Sequence, residues 1–105
     1  MTGWSSFAGG EKSIYYKKIG KLLFVRYSIE GTSDATTASF TIPVNCAHSA
    51  EGSSRISDNG GAYAWGMWVG VASSATITIY KDVTAGVFTN SGTKKVKDQI
   101  VIETA

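Results

Sequence analysis

Hydrophobic positions along this chain recur mostly every second residue, the period of a β-strand with one buried face. Residues 21–30 alternate Leu23, Val25, Tyr27 and Ile29 with Leu22, Phe24, Arg26, Ser28 and Glu30. The first set reads as core. The second begins apolar and ends polar, so part of it is expected to be covered. Residues 13–19 form a preceding strand, and Gly20 supplies the positive φ of a tight hairpin between the two. Residues 31–34 read as a turn. Ala38, Phe40 and Ile42 alternate with Thr37, Ser39 and Thr41 until Pro43, which cannot donate to a ladder, ends the strand. Residues 44–52 have no period and read as a loop. Residues 53–57 lead through Asp58, Asn59, Gly60 and Gly61, a hairpin signal, to the strand 62–72.

That strand has two unlike faces. Tyr63, Trp65, Met67, Val69 and Val71 are large and apolar, and read as the core face. Ala62, Ala64, Gly66, Gly70 and Ala72 leave the other face bare except for Trp68, which invites close approach by another backbone or a ligand. Further strands are expected at 75–80, with Ile77 and Ile79 inward, and at 95–104, with Val96, Ile100 and Ile102 inward. A short one is expected at 86–89. Residues 1–12 read as a Gly/Ser-rich lead-in, not a strand, with Trp4 and Phe7 able to anchor it. The remainder, 13–105, is one domain of seven to eight short strands. An antiparallel, jelly-roll-like β-sandwich is the natural packing.

Composition supports this class. The chain has 105 residues, the size of one domain. It has only two Leu against nine Ile and eight Val, which disfavours helices. A net charge of +2 is too small to imply nucleic acid. The lysines cluster at 12, 17, 18 and 21 and at 94, 95 and 97; they read as solvated charges guarding strand edges. No apolar run is long enough to span a membrane. One cysteine, Cys46, allows no intramolecular disulfide.

Catalytic signals are lacking. Cys46 and His48 stand two apart on an irregular loop, a weak geometry for a thiol and its base, and two ligands short of a structural zinc site. The acids are scattered and fall mostly near turns. No enzyme, metal or cofactor is expected. Trp68, Tyr80 and Asn59 are the ligand-binding candidates, the aromatics as sugar-stacking platforms. Trp68 has an alternative place, buried by a second sheet or a neighbouring subunit. Leu22, Phe24, Gly66 and Gly70 are the subunit-interface candidates.

The run Tyr16, Lys17, Lys18, Ile19, Gly20, Lys21, followed by a hydrophobic strand, then Gly31, Thr32, Ser33, and then Ser39, Phe40, Thr41, Ile42, Pro43, resembles a pattern of phage tail-fibre, tailspike and receptor-binding tip domains. The matching stretch covers residues 13–43. The resemblance implies a non-enzymatic β-sandwich tip, homotrimeric, at the end of a fibre on the virion. Its partners would be further copies of itself and a bacterial surface glycan or protein, without nucleic acid or membrane insertion. Assembly in a bacterial cytoplasm and a natural chain extending upstream of Met1 fit this reading. The alternative is a monomeric carbohydrate-binding module of a polysaccharide-degrading enzyme.

Overall fold

The computed structural model describes residues 3–5, 12–33, 36–58, 62–89 and 92–105. The regular elements among them are all strands: β1 (Trp4–Ser5), β2 (Lys12–Ile19), β3 (Leu22–Ser33), β4 (Ser39–Thr41), β5 (Ala50–Ser57), β6 (Ala64–Gly70), β7 (Thr76–Tyr80) and β8 (Thr93–Glu103). Every strand pairing is antiparallel. The chain therefore has the all-β antiparallel class its alternation predicts.

The ladders run in the order β1-β3-β8-β5-β6-β7-β4, and β2 lies on β3. The hydrogen bonding thus forms one continuous sheet where the sequence suggested two stacked ones. Twist curls a large sheet onto itself, and here the curl brings its ends together. Tyr16 Oη on β2 donates to the Thr41 carbonyl on β4 at 2.8 Å. The Tyr27 ring on β3 packs against Phe40 on β4, with centroids 5.2 Å apart. The concave side is the core.

The β2–β3 hairpin turns through Gly20 and Lys21, with Ile19 opposite Leu22. Gly20 has φ 59°, the positive value expected of it. Leu23, Val25, Tyr27 and Ile29 of β3 are buried, as are Phe40, Ile42, Ile77, Ile79, Val96, Ile100 and Ile102.

Several expectations need correction. Trp4 and Ser5 are a short strand opposite Ser33 and Thr32, not an irregular lead-in. Trp4 anchors there by meeting Phe88 edge-on, with centroids 5.8 Å apart. Phe7 lies outside the described residues. Gly31, Thr32 and Ser33 extend β3 and do not turn, because β8 and β1 pair with them. Strand β5 starts at Ala50, three residues early. Residues 86–89 form no strand; Asp82 closes a turn just before them, its Oδ1 accepting from the Thr84 and Gly86 amides, each at 2.9 Å.

The faces of β6 are reversed. Trp65 is 61% exposed, while Trp68 is 7% exposed and belongs to the core. Gly66 and Gly70 line the inside because neighbouring groups already fill it, while Ala62, Ala64 and Ala72 at the strand's ends are exposed. A Cβ on Gly66 would stand 2.1 Å from the Tyr80 carbonyl oxygen, and one on Gly70 would stand 3.2 Å from Cys46 Sγ. Lys94 is also inside, on the same face of β8 as Val96. It is not an edge lysine. Its ammonium pairs with Asp58 and donates to Thr89.

Candidate functional site

The thiol and imidazole of the sequence-level pair stand in different environments. Cys46 is fully buried, and burial pushes its thiol pKa up, which disfavours the thiolate. The His48 side chain is 76% exposed and lies 3.9 Å from Glu103. Among the described residues, no three His, Cys, Asp or Glu side chains gather as metal ligands would.

The ligand-binding candidates separate. Trp68 is in the core and presents no platform. Tyr80 is half-buried and stands opposite Met67 on the outer side of β7. Asn59 lies outside the described residues. Among the interface candidates, Gly66 and Gly70 are buried against their own chain, which excludes them from a subunit surface. Leu22 is exposed and Phe24 half-buried on the outer side of β3. Ile19 is opposite Leu22 and Val101 opposite Phe24; both are exposed, so these residues form one apolar patch beside the hairpin.

Further along the same outer face lies a groove of about 480 Å³. It is lined by Ser13 and Tyr15 of β2, Arg26 and Ser28 of β3, Lys97, Asp98 and Gln99 of β8, and Arg55 of β5. Register explains the grouping. Ser13 stands opposite Ser28, Ser28 opposite Lys97, and Lys97 opposite Arg55. One cross-strand row therefore carries polar and basic groups over four strands, and Arg55 continues it to Trp65 on β6. In the neighbouring row Tyr15 faces Arg26 and Arg26 faces Gln99.

Aromatic rings brace the two arginines. The Arg26 guanidinium carbon lies 5.0 Å from the Tyr15 ring centroid, and that of Arg55 lies 4.6 Å from the Tyr63 centroid. Lys95 Nζ approaches the same Tyr63 ring at 5.9 Å. These are cation–π distances. Tyr15, Tyr63 and Trp65 are all exposed, unlike Trp68. The face combines flat apolar surface with fixed cations, hydroxyls and an amide. That suits a polyhydroxylated ligand, whose ring faces stack and whose hydroxyls hydrogen-bond.

Alternation along the chain does not single out this group. The alternation of Arg26, Arg55 and Lys97 against buried partners is visible in the chain. The placement of β8 between β3 and β5, which assembles them, is not local information.

No family model matches the chain, and neither any curated protein nor any solved structure matches it.

Proposed function

We propose that this chain is a non-enzymatic attachment domain of the phage tail-fibre type, carried on the virion and holding a bacterial surface glycan on the outer face of β2, β3, β8 and β5. The observation that carries this reading is the pair of tyrosine-braced arginines, Arg26 on Tyr15 and Arg55 on Tyr63, at an open groove. A shallow groove with exposed aromatics suits holding an extended polymer. The hairpin motif described above points to the same class of protein.

The domain works as a homotrimer in this reading. The apolar patch of Ile19, Leu22, Phe24 and Val101 supplies the subunit contact, because contiguous exposed apolar residues mark association surfaces. A monomeric carbohydrate-binding module is the second reading, favoured by the exposed Trp65 beside the groove.

Two measurements test the proposal. Bacterial surface polysaccharide immobilised on a sensor is expected to retain the chain, and Tyr15→Ala and Tyr63→Ala are expected to weaken retention. Light scattering at micromolar concentration is expected to give three times the chain mass. Retention by a monomer selects the carbohydrate-binding module. A monomer without retention overturns both readings.

A further inference from the structure

We infer that the glycan bound by this face is acidic, and that Arg26 and Arg55 receive its carboxylate groups. The inference rests on the attachment reading and narrows its ligand class.

Ion pairing among the described residues leaves these cations over. Glu103 faces His48, Asp58 holds Lys94, and Glu30 lies 3.6 Å from Lys95. Neither Arg26 nor Arg55 pairs with a carboxylate among those residues. Asp98 lines the same groove but forms no ion pair with them; its Oδ1 accepts the Gln99 amide at 2.7 Å. A planar guanidinium already stacked on a ring loses little freedom when it binds. Its parallel N–H groups match the two oxygens of a carboxylate.

The register supplies a second argument. Arg55 and Lys97 stand directly opposite each other on β5 and β8. Like charges in that position repel and destabilise a sheet. A bound anion beside them removes the repulsion.

The rest of the groove distinguishes a carboxylated sugar from a nucleic-acid strand. A strand brings a phosphate with every nucleotide and needs continuous positive charge. Here Asp98, opposite Tyr27, is among the residues that line the groove, and Glu30 is opposite Lys95 on the outer face. Ser13, Ser28 and Gln99 share the groove with the cations and offer neutral donors and acceptors. An acidic sugar carries one carboxylate among several hydroxyls, and this groove mixes its groups in that manner.

The test is an array of uronic-acid and sialic-acid oligosaccharides, each printed beside its methyl ester, with oligothymidylate as a further probe. The full chain is expected to bind acids and lose them on esterification. Arg26→Gln and Arg55→Gln are each expected to weaken acid binding roughly tenfold or more, the worth of a charge-assisted hydrogen bond. The melting temperature of Arg26→Gln is expected to match the parent, and that of Arg55→Gln to match or exceed it, since the charge opposite Lys97 is removed. Equal binding to acids and esters overturns the inference and leaves the attachment reading standing. Undiminished acid binding by both variants overturns the assignment to these arginines. Binding to oligothymidylate alone, or to no probe, overturns the inference; the attachment reading is then decided by retention on bacterial surface polysaccharide, whose absence overturns it as well.

Discussion

A Cβ placed on Gly52 would stand 2.5 Å from the indole Nε1 of Trp68. The two residues are register partners on β5 and β6, and the indole occupies the space that a side chain at 52 would need. Gly52→Ala is therefore expected to push the indole off its site. Overpacking of this kind costs about 1–3 kcal/mol. Chemical denaturation measures the loss, and the tryptophan emission of the folded variant is expected to shift as Trp68 moves. Unchanged stability and emission would show that the indole does not lie over Gly52.

The two tryptophans of β6 are expected to behave oppositely. Trp68→Ala removes a core ring that is 7% exposed, and large-to-small changes of this kind cost about 3–5 kcal/mol. Trp65→Ala removes a ring that is 61% exposed, so stability is expected to hold within about 0.5 kcal/mol. Denaturation midpoints of the two variants decide the facing of the strand. The reverse order of costs would restore the reading in which Trp65 is core.

That strand shows where the sequence stops being legible. In β3, large apolar residues alternate with Arg26, Ser28 and Glu30, so one facing buries the apolar set and exposes the charges. In β6 both faces are uncharged, and side-chain volume alone selects the wrong one. The inside accepts small residues because Ile56, Cys46 and Ile77 reach into it from elsewhere in the chain, and because Gly52 makes room for one indole. None of these neighbours is local to β6. Lys94 differs, since it shares the parity of Val96, Ile100 and Ile102 and its inward position was written in the alternation. A general expectation that lysines are solvated concealed it. The groove depended wholly on strand order, which alternation does not encode.

Lys94 and Asp58 form an ion pair whose lysine side chain is wholly buried. Burial pushes the Asp58 carboxyl pKa up, but hydrogen bonds from Lys94 and Thr89 and the Lys94 charge outweigh it, leaving the pKa below the ordinary carboxylate value. The unfolded chain then binds the proton more readily. Stability from Asp58 is full above the unfolded pKa of about 4 and is lost as pH falls through the lower folded value. Asp58→Ala removes the carboxylate that balances the buried ammonium and is expected to cost about 3–5 kcal/mol at pH 7. Its stability is also expected to fall less steeply than the parent's on acidification. Urea titrations at pH 7 and at successive acidic pH values check both. A parent-like acid slope in Asp58→Ala would place the titrating group elsewhere.

Tyr27 Oη and Ser54 Oγ lie 2.5 Å apart inside the curl and satisfy each other. Tyr27→Phe leaves the serine hydroxyl without the phenol, and Ser54→Ala leaves the phenol without the serine. Each is expected to cost about 1–3 kcal/mol, the penalty of a buried polar group deprived of its partner. The double variant removes both groups, so its cost is expected to be well below the sum. Alkaline pH offers an independent check. Burial pushes the Tyr27 pKa far above its ordinary value, with the hydrogen bond to Ser54 lowering it only in part. Above about pH 10 an unfolded tyrosine ionises while the folded one stays neutral, so stability falls as pH rises. Tyr27→Phe is expected to flatten that fall. Additive single costs with an unchanged alkaline slope would show that the two hydroxyls are not coupled in the core.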